Sequence, residues 1–457
     1  MVPRDSDSFF RSRRASRRAV LRAGAGVAGA AALGGFRATA GTAAPSSLQG
    51  GGSIVFLSTQ LTPVEEAEAM RNEILKDFQG EVEFIAEEIG PFNDRVTAEA
   101  QTGKGTIGVL GGQHGDFSAL AKQGVLTDLS DLATELQDRG FIPQYLELGR
   151  LGSQQLNYIP WMQATYIMAA RRDALEFLPE GVDEAALQTS LTYDQLGMWA
   201  KNINDAQGQK FGLPAGEKGL LHRFLQGYGY PSFTGGVNTT FKSEDAVAMW
   251  SWLKDVWQYT NPQSVSYTQM SEPLLSGEVS LAWDHTARLI DALRQNAEDF
   301  VTFPAPRGPK GLGFMPVVAG LAIPKTAPDP AAARSLIEYL TRPEVQATTL
   351  REVSFFPAIE AELPADLPAG TQLEATAVQG TTGAEGALPS LLPVGLGDQG
   401  GAYNKVFLDS FQSIVLDGND IQQVLDQQAA NLQAVLDATQ ASCWSPDPAS
   451  EGVCKVG

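Results

Sequence analysis

Gly311 to Gln346 reads GLGFMPVVAGLAIPKTAPDPAAARSLIEYLTRPEVQ, and the order of elements inside it decides the fold class. Met315 to Ile323 is apolar, partly β-branched and bounded by Gly and Pro, which suits a buried strand better than a helix. Pro324 has no N–H to offer a ladder, so the strand stops there. Asp329 before Pro330 is an N-cap followed by proline at the first helical position, and Ala333, Leu336, Ile337 and Leu340 recur on one helical face. Thr341 and Glu344, around Pro343, form a capping box that starts another helix. A strand, an amphipathic helix and a capped restart make an α/β unit late in the chain.

The same alternation occupies the chain upstream. Ile54–Leu57 is a short apolar strand, and Thr62, Pro63 and Glu65 then start a helix whose buried face carries Val64, Ala67, Met70, Ile74 and Phe78. Glu81–Ala86 and Ile107–Leu110 read as strands, separated by a helix over Phe92–Thr102 and followed by a Gly-rich turn into a helix over Asp116–Gln123. Alternation with short connections predicts sheets that are mostly parallel and covered on both faces. Ligands of such sheets lie beyond the carboxyl ends of the strands, which singles out the turns after Leu57 and Leu110. Farther on, Ser243–Tyr259 is a helix with Trp250 and Trp257 at core spacing, and Tyr403–Ala438 is helical. Leu363–Gly401, rich in Pro, Gly, Thr and Ala, reads as a long irregular connection of the functional or mobile kind.

The run GLAIPKTAPDPAAARSLIEYLTRPEVQ, with FPAPRGPKG at Phe303–Gly311 and LLSGEVSLAWD at Leu274–Asp284, resembles the family 1 extracellular solute-binding proteins of ABC importers, the maltose-binding-protein-like group. The resemblance spans roughly Ile54 to Leu436. It implies a two-lobed periplasmic-binding-protein fold, each lobe a mostly parallel sheet flanked by helices, with solute held in the cleft between. The expected lobes are residues 54–160 with 317–357, and residues 161–316 with 358–440, followed by a C-terminal tail at 441–457. The implied partners are a small solute and the transmembrane subunits of an ABC permease, with the chain itself a monomer.

Composition agrees with an exported, globular protein. A chain of 457 residues exceeds what one core usually fills. The formal net charge is −20; the first forty residues hold eight Arg and two Asp, so without them 25 basic face 51 acidic side chains, a charge of −26. Such a surface repels phosphate backbones and anionic lipids, excluding nucleic-acid binding and membrane-surface adhesion. Residues 1–40 read as a twin-arginine export signal: Ser16-Arg17-Arg18-Ala19-Val20-Leu21-Arg22, a weakly apolar run from Ala23 to Phe36, and an A-x-A site at Ala38-Thr39-Ala40. Gly24, Gly26 and Gly29 spell a dinucleotide-like G-x-G-x-x-G there, but neither strand nor βαβ unit surrounds it. Residues 41–53 form a polar lead-in that reads as disordered. With no Cys near the cleavage site there is no lipid attachment point, and the expected location is the cell envelope, periplasmic or extracellular. Only Cys443 and Cys454 occur, and after export they either pair as a disulfide or remain free on a frayed tail. Two Cys and three scattered His give no metal cluster, and no cofactor is implied.

The candidate site residues follow from the resemblance. The family's loop ahead of a helix ending in G-x-L contributes polar ligand contacts, which implies Gln113, His114 and Asp116, although Asp116 is equally a good N-cap. Asn157–Tyr166 resembles the first crossing segment; Trp161 and Gln163 would then face the cleft, with interlobe packing the other reading of Trp161. Gly216–Phe233 carries His222, Arg223, Phe224, Tyr228 and Tyr230 among glycines, either a sugar platform or a loop packed on its own side chains. Trp283, Asp284, His285 and Arg288 fall where the family has a loop that reaches the solute. Asp284 beside His285 suggests acid/base chemistry, yet G-x-S-x-G, H-E-x-x-H and the P-loop are all absent. Hydrogen bonds to ligand hydroxyls are the simpler use. A receptor for a carbohydrate or sugar-like polyol is therefore expected. The alternatives are an exported carbohydrate-active hydrolase using Asp284 or Asp116, or the same receptor binding a peptide, an amine, or a glycerol phosphodiester with Arg223 or Arg288 as anion partner. Replacing Arg17 and Arg18 by Lys should leave the precursor inside the cell, because the paired guanidinium signal is read by a receptor; immunoblots of cell and exported fractions check this.

Overall fold

Two β-sheets organise the chain in a computed structural model that describes residues 53–457 apart from residue 383. The export signal and all of the lead-in except residue 53 lie outside the described residues. The strands are β1 (Ile54–Ser58), β2 (Val82–Ala86), β3 (Ile107–Gln113), β4 (Ile159–Ala164), β5 (Tyr166–Arg171), β6 (Phe211–Gly212), β7 (Leu281–His285), β8 (Phe300–Phe303), β9 (Leu312–Phe314), β10 (Val317–Ala322), β11 (Phe356–Pro357) and β12 (Ala387–Pro389). Lobe 1 is built on a sheet of order β11-β4-β10-β3-β1-β2 and lobe 2 on one of order β6-β7-β5-β8, with β12 and β9 pairing separately.

Strand direction records how the chain passes between lobes. β2, β1 and β3 are parallel, whereas β10 runs against both β3 and β4, and β11 against β4. In lobe 2, β6 and β7 are parallel and β5 runs against its neighbours β7 and β8. The reversed strands are the ones next to crossings: β5 continues from β4 through Thr165 alone, β10 follows β9 through Met315 and Pro316, and β11 leads back out of lobe 1. The expected parallel sheets hold among strands reached through helices, and the crossings supply the antiparallel ones.

Two expectations move at this seam. β4 pairs with β10 from Ile159↔Leu321 to Val317↔Ala164, so residues 161–164 belong to lobe 1 and the first crossing is Thr165, not the residue after Pro160. Chain extended almost without interruption from Ile159 to Arg171 carries no sequence mark where its partners change. Trp161, expected to face the cleft, is 0% exposed and packs on Phe56 with ring centroids 5.5 Å apart, inside the core of lobe 1. Gln163 is also inside: its Oε1 accepts the Tyr145 hydroxyl at 2.5 Å and its Nε2 donates to the Pro357 carbonyl at 3.3 Å.

Lobe 2 is more regular than its glycines and prolines suggest. Within the connection expected to be irregular lies the helix Ala369–Thr382, whose Ala375, Ala377 and Val378 pack into a core with Leu289 and Phe300. Gly216–Phe233 is neither platform nor free loop: helical turns cover Leu221–Thr234, and Tyr228 and Tyr230 are fully buried. Gly227 is required there, since a Cβ on it would meet the Met315 Cβ at 2.6 Å. The tail is ordered and closed by a Cys443–Cys454 disulfide. Among the described residues no helix is long and apolar enough to cross a membrane. Trp161→Ala should cost about 3–5 kcal/mol of stability by opening a cavity beside Phe56. Denaturant unfolding checks this, and solute affinity of the folded protein should be unchanged.

Candidate binding cleft

A cavity of about 900 Å³ lies between the lobes. Lobe 1 supplies the carboxyl end of β3 and the helix His114–Lys122 behind it, where Gln113, Asp116, Ser118 and Lys122 line the space, together with Ile89 and Asn93 of the helix Ile89–Thr102. This is where an α/β sheet is expected to hold its ligand. Lobe 2 supplies Arg223, Asn404, the end of the helix Ile421–Thr439, and residues between Leu392 and Gly400.

The chemistry of each wall follows from local structure. Gln113 and Asp116 form a capping box, with the Asp116 carboxylate accepting the Gln113 N–H at 2.8 Å and the Thr59 hydroxyl at 2.7 Å. Asp116 is not the N-cap expected of it: Gln113 holds that position, and Asp116, at the third helical position, bonds back to the Gln113 N–H while lining the cavity. Burial raises its pKa, opposed by the bonds from Thr59 and Gln113. Across the cavity Arg223 donates to Gln226 Oε1 at 3.3 Å, and Gln226 in turn donates to Asn404 Oδ1 at 3.0 Å. Among the described residues no carboxylate pairs with Arg223 or Lys122, and burial lowers the Arg223 pKa. Asp116 is the one acidic side chain described in the lining, and no aromatic side chain is described there.

Of the eleven candidate ligand residues, Gln113, Asp116 and Arg223 thus line the cavity. His114 turns inward: it is 4% exposed, its Nδ1 lies 2.9 Å from the Tyr158 hydroxyl, and burial lowers its pKa to about 4. Trp161 and Gln163 belong to lobe 1's interior, as described above. The remaining five gather in lobe 2 around Tyr166. Trp283 stacks on Tyr166 at 4.8 Å and meets the edges of Phe224 and Tyr228, both at 5.2 Å. Asp284 is 0% exposed and accepts the Met270 and His285 N–H groups, each at 2.8 Å. Burial pushes its pKa up to about 7, against the pull of those donors and of Arg288. His285 caps the helix Thr286–Gln295 by accepting the Ala287 N–H at 3.2 Å, and burial lowers it to about 4. Arg288 holds the Lys218 carbonyl at 3.3 Å and the Thr268 carbonyl. His222 is lowered to about 3, by burial first and then by Arg223 and Arg288. This network ties the start of a helix to two loops, so the reach toward solute expected for Trp283, Asp284, His285 and Arg288 is replaced by internal bonding.

Sequence reasoning missed Asn93, Ser118, Lys122 and Asn404, which are ordinary polar residues on helices and carry no motif. It did mark the stretch containing Leu392–Gly400 as functional or mobile, without naming residues.

Comparison with known proteins agrees with this architecture. The family model described as bacterial extracellular solute-binding protein matches residues 63–347, and the chain belongs to that family. Among solved structures, the sugar-binding protein MalE of Xanthomonas citri is 16% identical with a TM-score of 0.69, covering 85% of this chain and 98% of its own. UgpB of Mycobacterium tuberculosis in complex with glycerophosphocholine is 18% identical with a TM-score of 0.64, over 85% and 99%. The cyclic α-maltosyl-1,6-maltose binding protein of Arthrobacter globiformis is 17% identical with a TM-score of 0.63, over 85% and 100%. No curated protein matches the chain.

Asp284 makes stability depend on pH. Its folded pKa of about 7 exceeds the reference value of 3.8, so the native state holds a proton that the unfolded chain has lost. That contribution is fully present below about pH 4 and lost as pH rises toward 7. Asp284→Asn should therefore gain stability relative to the parent across this window, most near neutrality, in paired denaturant melts.

Proposed function

We propose that the protein captures a carbohydrate or sugar-like polyol by closing its lobes on the cavity, and delivers it to the permease of an ABC importer. The carrying observation is the set of polar side chains that the two facing walls present. Gln113 and Asp116 on one lobe oppose Arg223 and Asn404 on the other, across about 900 Å³. Hydroxyls need donors and acceptors together, and amides, a carboxylate and a guanidinium supply both. Closure would desolvate these bonds and strengthen them. The sugar ligands named for the Xanthomonas and Arthrobacter proteins support the same class.

Receptor chemistry is favoured over hydrolysis by the state of the two candidate acids. Asp116 is committed to the Thr59 hydroxyl and the Gln113 N–H, and Asp284 is sealed from solvent, so neither is offered as one of a carboxylate pair at the cavity. On the same reading the protein reaches the cell envelope by the twin-arginine route and works there as a monomer.

A second reading has its own observation. Arg223 is a half-buried cation at the cavity without a described carboxylate partner, which suits a glycerol phosphodiester such as the glycerophosphocholine bound to the Mycobacterium protein. Calorimetry with maltose, other saccharides and glycerophosphocholine separates the two. A saccharide should bind with micromolar affinity, about −8 kcal/mol, and Gln113→Ala should weaken it by roughly 1–3 kcal/mol. Binding of glycerophosphocholine alone, lost tenfold or more in Arg223→Ala, would instead establish the phosphodiester.

A further inference from the structure

The lobe 2 wall of the cleft is mostly a single segment with little structure of its own. Seven residues between Leu392 and Gly400 line the cavity, yet no helix or strand covers the chain from the end of β12 at Pro389 to the short turn at Gly397. Such a segment is placed by what it leans on. Ser390 is held by lobe 2, its N–H donating to the Phe314 carbonyl at 2.7 Å and its hydroxyl to the Gln226 carbonyl at 2.8 Å. The next residue is held by the C-terminal tail: the Leu391 N–H donates to the Ser445 carbonyl at 2.9 Å, and the Ser445 hydroxyl donates back to the Pro389 carbonyl at 2.8 Å. The Leu391 side chain packs against the cores of both lobes. Midway along, Gly395 has a φ of +79°, and a Cβ there would lie 3.6 Å from Lys122 Nζ on lobe 1 and 3.8 Å from Ala441 Cβ on the tail.

The tail is itself fastened at several points. Cys443 and Cys454 close a loop that contains Ser445. Inside the loop, the Asp447 carboxylate accepts the N–H groups of Val237, Asn238 and Thr239 at 2.8–3.1 Å and the side chains of Asn238 and Thr239 at 3.0 and 2.6 Å. Trp444 packs on Tyr403 at 5.5 Å, and Gln433 bonds both Cys454 and Val456. The tail and the segment it holds both lie past residue 347, where the family match ends.

We infer that residues 441–457 are a brace for the solute cleft: the disulfide-closed loop positions Ser445, Ser445 positions Pro389–Leu391, and these set the wall from Leu392 to Gly400. No tail residue beyond Ala441 needs to approach the solute for this to raise affinity, because a wall already in place spares the cost of ordering it on binding. The inference rests on the cavity being the solute site.

The test compares the mature parent with Cys443→Ser/Cys454→Ser and with Asp447→Ala, read by hydrogen exchange and calorimetry. Amides of residues 390–396 should exchange about tenfold faster or more in both variants, while those of β3 and β7 keep the parent rate. The parent treated with a reductant should behave like the double Ser variant and recover on reoxidation. Affinity for whichever of maltose and glycerophosphocholine binds the parent should fall about tenfold, the equivalent of one buried hydrogen bond. Unchanged exchange at 390–396 in both variants overturns the brace, as does faster exchange with undiminished affinity. If neither probe binds the parent, the exchange result still decides the brace, and the failure belongs to the choice of solute.

Discussion

The clasp between the two crossing chains is the constraint on which the rest of the structure depends. Thr165 stands alone between β4 and β5, and its hydroxyl donates to the carbonyl of Met315, which stands between β9 and β10, at 3.1 Å. The Tyr228 phenol oxygen lies 3.1 Å from the same hydroxyl and accepts the Tyr166 N–H at 3.1 Å. These groups are buried, so each bond left unmade would carry its full desolvation cost. Gly227 lets the helical turn that carries Tyr228 come against Met315. One side of each sheet is thereby fixed to the same point.

Charge is distributed unevenly about this frame. The chain is strongly acidic as a whole, yet the described lining of the cavity holds two cations and one carboxylate, and that carboxylate is already bonded to Thr59 and Gln113. The surplus of acidic groups stays on the surface, where water solvates it cheaply. In the cleft, Arg223 has lost part of its hydration, and among the described residues its guanidinium donates to Gln226 without a carboxylate partner. Behind the wall, Asp284, His285 and Arg288 are spent on internal bonds, and the histidines remain neutral at pH 7 because burial penalises their charged form. Ionisable residues near a cleft thus divide into those that line it and those that build it, and burial decides which is which.

Lobe 2 also shows how an irregular segment is made definite. The wall from Leu392 to Gly400 has no ladder of its own, and the chain entering it is tied to neighbours: Ser390 donates to the Phe314 carbonyl and Leu391 to that of Ser445. The tail that supplies Ser445 is held by a disulfide and by one carboxylate with five donors. In lobe 1, by contrast, β3 and the helix behind it hold Gln113 and Asp116 through regular secondary structure.

The sequence by itself determined the local elements and the family: the strand within Met315–Ile323, the cap at Asp329, the buried faces of the long helices, and the loop after β3. These are legible because strand alternation, helical period and capping depend only on residues a few positions apart. It also pointed to Gln113, Asp116 and Arg223, through a loop at the end of a strand and a cation among glycines. What only the tertiary structure decided is sidedness across long range. Trp161 and Trp283 have the composition of a sugar platform, but whether an aromatic ring meets solute or core is settled by Phe56, Tyr166 and Tyr228, which lie far away in sequence. The crossing fell at Thr165 and not at Pro160 because sheet membership is fixed by the partner strand β10, of which β4 carries no trace. The wall past Leu391 was legible only as part of a long functional or mobile connection, because the bonds that hold the chain entering it join Ser390 and Leu391 to Phe314 and Ser445, far away in sequence.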